Sequence, residues 1–258
     1  MLALALTGAN VFAAAQTAAT GPNKVYIEQV GNSNTVTIQQ VGGTNNVGGT
    51  ALSAANTISA SGITTVSPAA PSSSNYATIT GSSNTIAMTQ TGNGNGAQYN
   101  IQGSDNTYTS TVTGHNNLTS LTIGNVNNAL NLRNTVTETI TGDNNLVLQQ
   151  LVGNDITSTV AITGNLNQIT KELKSSNGTS DITVTGNSNV LNIQQVDVAG
   201  ANGHYLKEVI AGNFNSITTQ QQGTNDTTVD IRTTGSNNTI TVRTSSSTIV
   251  GPATAIAR

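Results

Sequence analysis

Residues 29–45 read QVGNSNTVTIQQVGGTN, and they contain the complete repeating pattern from which we predict the fold. It contains two Gly-x-x-Asn groups, Gly31 to Asn34 and Gly42 to Asn45, whose glycines lie 11 residues apart. Glycine and asparagine both tolerate a positive φ, so each group is typical of a tight turn. The spacing predicts a short repeating unit with one turn in each unit.

The residues between these two turns alternate in character. Val36, Ile38 and Gln40 fall on one face, whereas Thr35 and Thr37 lie between them. A period of two is typical of a half-buried strand, while a helix needs apolar residues at i, i+3 and i+4. Each unit is therefore predicted to be a strand of about six or seven residues and a turn of about four.

The same unit recurs along the chain, mostly at intervals of 11 or 22 residues. Such periodicity indicates a repeat architecture, in which a unit buries its apolar face only by stacking on its neighbours. The glycines that we expect at the turns are Gly31, Gly42, Gly81, Gly92, Gly103, Gly114, Gly142, Gly153, Gly164, Gly186, Gly212, Gly223 and Gly235.

Two units that face each other make a flattened coil of about 22 residues, with a thin apolar core between them. We therefore predict an all-β, two-sided β-solenoid whose coils stack ~4.8 Å apart in a cross-β-like manner. Some eighteen strands would give about nine coils, or ~40 Å of solenoid. Two charged residues, Glu138 and Lys171, fall on the phase assigned to this core.

Amide side chains recur at fixed positions of the unit, in phase with the apolar residues. In a stack of coils they form ladders whose amides hydrogen-bond along the axis, which removes the cost of burying them. The alternative is that they are exposed polar filler. The predicted ladder residues are Gln29, Asn34, Gln40, Asn45, Asn84, Gln90, Asn95, Asn106, Asn117, Asn145, Asn167, Asn189, Gln195, Asn215, Gln221 and Asn238.

Composition narrows the classes of function. Of 258 residues only 7% are charged and 3% aromatic, the net charge is −3, and there is no cysteine. Clustered Lys and Arg, which a nucleic-acid-binding protein needs, are missing, and disulfides and thiolate metal sites are excluded. No stretch reaches the ~18–20 apolar residues that span a bilayer, so we expect no membrane span.

Breaks in the repeat divide the chain into seven segments. Segment 1–19 contains an apolar run and small residues that resemble the end of a secretory signal, without the basic residues that precede one. The segments are 1–19, a signal-peptide remnant or disordered leader; 20–46, the first repeats; 47–72, an insertion loop leaving a coil corner; 73–196, the main solenoid; 197–211, a second insertion; 212–244, the terminal repeats; and 245–258, a cap or docking arm.

Residues with catalytic or metal-binding chemistry are few. His115 and His204 have no second ligand at metal-site spacing and are interpreted as turn or surface residues. Aspartates at the turns would suit a weak Ca²⁺ site, but the G-G-x-G-x-D repeat of calcium β-rolls is missing, as is a G-x-S-x-G elbow. We therefore expect neither an enzyme nor a cofactor.

The full unit, Gln29-x-Gly31-x-x-Asn34-x5-Gln40, resembles the curlin repeat of curli subunits, which are bacterial extracellular amyloid proteins. The resemblance covers about two thirds of the chain. It implies a β-solenoid that is secreted through an outer-membrane pore and polymerises end to end into biofilm fibres, with a nucleator subunit as a further partner. Val112 and Leu151 stand where the family has Gln, which indicates a divergent relative.

Three functions remain open at this point. The first is an extracellular fibre subunit that associates with itself, because open solenoid ends expose unpaired strands. The second is a monomeric ice- or carbohydrate-binding solenoid that uses outward threonines such as Thr135, Thr137, Thr139 and Thr141. The second needs one flat threonine face, whereas we expect threonine-rich units on both sides of the coil. The third is a domain of a surface adhesin or phage fibre.

Overall fold

The computed structural model describes residues 10–16, 21–48, 76–124, 133–151, 154–173, 178–197, 205–223 and 228–245. These ranges contain strands and turns and no helix. The strands are β1 Asn10–Gln16, β2 Lys24–Val25, β3 Ile27–Val30, β4 Thr35–Val41, β5 Asn46–Val47, β6 Ala77–Thr80, β7 Thr85–Thr91, β8 Gly96–Gln102, β9 Thr107–Thr113, β10 Leu118–Ile123, β11 Thr135–Thr141, β12 Leu146–Leu151, β13 Thr157–Thr163, β14 Gln168–Leu173, β15 Thr179–Thr185, β16 Val190–Asp197, β17 Tyr205–Ala211, β18 Ser216–Gly223, β19 Thr228–Thr234 and β20 Thr239–Ser245.

The strands form two parallel sheets. The first sheet has the order β1-β4-β7-β9-β11-β13-β15-β17-β19, and the second runs β2-β5-β8-β10-β12-β14-β16-β18-β20, with β3 and β6 completing it. From β7 onwards consecutive strands alternate between the sheets, so one strand from each makes a coil. The predicted all-β solenoid is confirmed.

The register confirms the length of the coil. Thr135 pairs with Thr157, and Leu146 pairs with Gln168, both 22 residues further along the chain. In the second sheet β2 and β3 share one position, and so do β5 and β6. Each sheet therefore has nine positions within the described residues. Nine layers at ~4.8 Å give a solenoid on the order of 40 Å long, as predicted.

The first insertion leaves the solenoid from within a strand. β5 ends at Val47 and β6 begins at Ala77, yet both pair with β8, so they are two parts of one strand position. Gly48 has a φ of +67°, and a Cβ there would lie 2.1 Å from the carbonyl oxygen of Tyr26. The expected exit at a coil corner is therefore wrong, while residues 49–75 lie outside the described residues.

The second insertion is shorter than predicted. β17, Tyr205–Ala211, pairs with β15 and β19 over its full length, so only 198–204 lie outside the described residues. Glu208 stands at an inward position and interrupts the apolar alternation, so the sequence pattern does not identify this strand. In segment 1–19, β1 pairs in register with β4 and forms the edge of the first sheet at the N-terminal end of the solenoid. Most of the predicted terminal segment 245–258 lies outside the described ranges.

The core follows the predicted alternation. In β11 the buried residues are Val136, Glu138 and Ile140, with threonines between them. In-register pairing places inward side chains above one another, as in the column that contains Val36 and Ile86. Each fully buried aliphatic side chain contributes about 1.5–3 kcal/mol, which compensates for the scarcity of aromatic residues.

Candidate functional site: ladders, ends and a threonine face

The turn asparagines are buried and bonded to one another. The backbone N–H and the Nδ2 of Asn84 donate to Oδ1 of Asn34 at 2.9 and 3.0 Å, and this Nδ2 also donates to the carbonyl oxygen of Gly103 at 2.9 Å. Asn106 repeats the contact to Oδ1 of Asn84. Both amide hydrogens and both acceptor sites of Asn84 are therefore used, which removes the cost of burying the side chain.

There are two such ladders, one along each sheet. The ladder of the second sheet runs the length of the described solenoid, whereas that of the first ends at Asn134, whose Oδ1 accepts from the backbone of Ile156 at 2.9 Å. The longer ladder contains Asn23, Asn45, Asn95, Asn117, Asn145, Asn167, Asn189, Asn215 and Asn238. The shorter ladder contains Asn34, Asn84, Asn106 and Asn134.

Asn23 and Asn134 were missed as ladder residues because the third residue before each is not glycine. Strand phase alone would have found them, since each directly precedes a strand. The amide ladder therefore depends on the position of asparagine in the coil and tolerates the loss of the glycine.

The glutamine ladder is much shorter than the asparagine ladders. Gln40 donates from Nε2 to Oε1 of Gln90 at 2.8 Å, and both side chains are buried. The half-buried Gln29 lies opposite Ile79 in register, so it has no glutamine beside it in the next coil. Gln195 and Gln221 are register partners whose side chains lie outside the described residues.

The turn glycines satisfy two demands at once. Eleven of the thirteen have a φ between +102° and +140°. In nine of these a Cβ would also lie 1.8–2.0 Å from the carbonyl oxygen of the glycine in the next coil, as between Gly31 and Gly81. Gly223 is the final residue of β18, in register with Asp197, and Gly153 lies outside the described ranges. Glycine is thus required by the stacking as well as by the turn.

The residue before each ladder asparagine except Asn23 also has a left-handed conformation. Leu166 and Phe214 have φ values of +58° and +56°, and 59% and 63% of these residues is exposed. The residue after the turn glycine forms a second, exposed chain of contacts. His115 belongs to it: Nδ1 accepts from the backbone N–H of Asn93 at 3.1 Å, and its own N–H donates to Asp143. His115 is a turn residue, as interpreted, and His204 lies outside the described ranges.

Among the described residues the core contains three acidic or basic side chains, Glu138 and Glu208 in the first sheet and Lys171 in the second. Gln149 donates to Glu138 at 2.9 Å. Lys171 Nζ donates to Ser158, and Thr219 donates to Glu208.

Removal from water raises the pKa of both carboxyls to about 7 and lowers the pKa of the Lys171 ammonium to about 7. Hydrogen bonds from Gln149 and Thr219 partly offset these shifts in the pKa of the carboxyls, and the charge of Glu138 partly offsets the shift in the pKa of Lys171. The sequence marked Glu138 and Lys171 as core residues, but Glu208 was missed with its strand.

The two ends of the longer ladder are complementary. At one end Asn238 donates to Oδ1 of Asn215, while its own Oδ1 accepts nothing from the described residues. At the other end Oδ1 of Asn23 accepts from Asn45, whereas the backbone N–H of Asn23 donates to none of them. In every coil the asparagine donates to Oδ1 of the asparagine in the preceding coil. An acceptor therefore lies at the C-terminal end of the ladder, and a donor lies at its N-terminal end.

The outward face of β7, β9, β11, β13 and β15, which we call the threonine face, is almost uniform. Threonine fills 17 of its 20 outward positions, and the others are Ala87, Ala161 and Asp181. All five strands belong to the first sheet. The expectation that threonine-rich units lie on both sides of the coil is therefore wrong, because the strands alternate between sheets and the threonine-rich units are every second one.

The outward face of the second sheet differs. On β10 and β12 it carries Leu118, Ser120 and Leu148, each exposed by 8% or less.

No helix in the described ranges is long and apolar enough to cross a bilayer. Among the residues that the structure describes, no three acidic or histidine side chains come together as a metal site. Comparison with protein-family models, curated proteins and solved structures finds no match for this chain.

Proposed function

We propose that this protein is a structural subunit of an extracellular, curli-like fibre that polymerises by end-to-end stacking of solenoids. The observation that carries the proposal is the polarity of the longer ladder. Among the described residues Oδ1 of Asn238 accepts no hydrogen bond and the backbone N–H of Asn23 donates none, so the first coil of one copy can continue the last coil of another with the contact already repeated inside the chain.

The edge strands support the same association. β20 presents Ile240 and Val242 to the core, and β2 and β3 present Val25 and Ile27 at the equivalent positions. In the second sheet, joining the two ends would therefore continue two apolar columns, with Ile240 next to Val25 and Val242 next to Ile27. Unpaired parallel edges template the addition of another strand. A net charge of only −3 adds little repulsion between copies.

The setting of the fibre follows from the repeat. The Gln-x-Gly-x-x-Asn unit resembles curlin repeats, which supports a role in the biofilm matrix or in adhesion, secretion through an outer-membrane pore, and nucleation by a second subunit. Localisation outside the cell is part of the same proposal and is compatible with a chain that has no cysteine.

Electron microscopy and fibre diffraction of the purified full chain test the proposal. We expect unbranched filaments with an axial repeat on the order of 40 Å, a meridional reflection near ~4.8 Å and binding of thioflavin. A chain that stays monomeric in size-exclusion chromatography, after prolonged incubation at high concentration, would contradict the proposal.

The one-sided threonine face favours a second candidate, a monomeric solenoid that binds ice or carbohydrate. Uncharged hydroxyl and methyl groups repeat there at the spacing of the strands. Thermal hysteresis of the monomer, or its retention on a polysaccharide column, would support this candidate. We prefer the fibre because the monomeric role gives no purpose to the complementary ladder ends.

A further inference from the structure

The threonine face is a regular array that no described strand covers. Neighbouring strands are in register, so threonines stand above threonines, as in Thr109, Thr137 and Thr159. The array repeats at ~4.8 Å between strands and at ~6.6 Å along each strand. Its side chains are exposed or half-buried, and Asp181, beside its edge, is the single charge in it.

A second copy of this chain matches the array in both directions. Every β-sheet has these two spacings, but two copies of this face also share the same nearly unbroken set of threonines. Threonine is β-branched and has few χ1 rotamers, so ordering it at an interface costs little entropy. Interdigitated methyl groups and hydroxyl-to-hydroxyl bonds are the contacts by which identical sheets form dry interfaces.

The area of the threonine face indicates that it would join filaments and not single subunits. Five strands of seven residues cover roughly 24 by 23 Å, or about 550 Å² on each copy. A pair of copies would bury about 1,100 Å², at the lower limit of a specific interface. A single pair is therefore weak. Copies already joined end to end present many such faces in a row, and the contacts then act together.

We propose that the threonine faces of two filaments pack on each other, so that the mature fibre is a pair of laterally joined filaments. This inference rests on the proposed end-to-end function. Charged residues on β17 and β19 mark where the contact ends: Lys207 pairs with Asp181 at 3.5 Å, and Asp230 and Arg232 follow. Each subunit would contribute a contact of five strands, and the charged strands β17 and β19 would separate it from the contact of the next subunit along the filament.

Charge placed in the face tests this inference. We expect the variant T111K/T137K/T159K, which puts one lysine on each of β9, β11 and β13, to form single filaments with the wild-type axial repeat. The wild type should form paired filaments of about twice the projected width in cryo-electron microscopy. The control T122K/Q150K/Q168K adds the same charge to half-buried outward positions of the second sheet and should still pair.

A conservative variant separates this contact from recognition through hydroxyl groups. T111V/T137V/T159V keeps the branched shape and the methyl groups, so pairing should persist. Three outcomes overturn the inference while leaving the fibre standing: wild-type filaments that are single, lysine variants that still pair, and filaments that bind a polysaccharide through this face in place of each other. If no filaments form at all, the end-to-end proposal fails first.

Discussion

The Nδ2 of Asn189 donates to Oδ1 of Asn167 at 3.0 Å, while the Nδ2 of Asn167 donates to the carbonyl oxygen of Gly186 at 2.7 Å. Asn167 thus joins three coils through a single side chain, since it also donates to Asn145. The ladder explains how a chain with 3% aromatic residues holds a specific register. A shift by one residue would break every contact of this kind at once.

Replacing Asn167 by Ala should destabilise the solenoid strongly. The change removes four side-chain hydrogen bonds and leaves the backbone N–H of the buried Asn189 and the carbonyl oxygen of the half-buried Gly186 without these partners. At about 1–3 kcal/mol for each unsatisfied group, we expect a loss of roughly 3 kcal/mol or more in the free energy of unfolding by urea. Asn144→Gly, at an exposed left-handed position of the same turn type, is the control and should change it little. Equal effects of the two variants would mean that the ladder does not stabilise the fold.

Substitutions at two positions of one turn should change the stability of the protein in opposite directions. Gly164 has a φ of +132°, and a Cβ there would lie 1.9 Å from the carbonyl oxygen of Gly186, so Gly164→Ala should destabilise the protein. Leu166 occupies a left-handed conformation with its side chain in solvent, so Leu166→Gly should stabilise it by about 1 kcal/mol. The melting temperatures of the two variants check the signs. A lower melting temperature for Leu166→Gly would show that its side chain has a contact of its own.

Much of this architecture is predictable from the sequence because strand phase and turn chemistry are local. The 11-residue spacing and the alternation after Asn34 fix the strands, the coil length and the number of coils. The sequence does not determine which sheet a unit joins, because the alternation between sheets cannot be followed across an interruption of the repeat. Residues 125–132 separate β10 from β11 in this way, and the threonine-rich units were consequently divided between two faces.

The exit of the first insertion and the position of Glu208 were missed for physical reasons as well. β5 has only two residues, too few for alternation to register, and its continuation begins 30 residues after Val47. Glu208 is a buried charge, which breaks the apolar pattern that identifies strands. Only the stacking of β17 between β15 and β19 reveals that Glu208 belongs to a regular coil.

The buried charges predict an unusual dependence of stability on pH. The pKa of Glu138 and Glu208 is raised to about 7 in the fold, from an ordinary value of 4.5. Between pH 4.5 and 7 the folded chain binds more protons than the unfolded chain, so stability should fall as the pH rises. The pKa of Lys171 is lowered to about 7 from 10.5, so above pH 7 its contribution should rise with pH. Stability should therefore pass through a minimum near pH 7.

The variant Glu208→Gln isolates one of these groups. It removes a charge whose Oε2 has no partner among the described residues, so the protein should gain stability at pH 7 and lose part of the slope between pH 4.5 and 7. Urea midpoints measured from pH 4 to pH 10 provide the test, with Glu28→Gln, at an exposed position, as the control. An unchanged slope in Glu208→Gln would mean that Glu208 titrates normally in the fold.

The last strand offers the most direct control over assembly. Val242 faces inward on β20, in the layer that the next copy would cover, whereas Thr241 beside it faces outward and is exposed. Lysine at 242 would place a charge opposite the apolar residues of the incoming coil, and burying an unpaired ammonium is costly. We expect Val242→Lys to stay folded by circular dichroism but to lose filament growth in light scattering, while Thr241→Lys grows as the wild type does. Filaments of Val242→Lys with an unchanged axial repeat would show that copies do not join through β20.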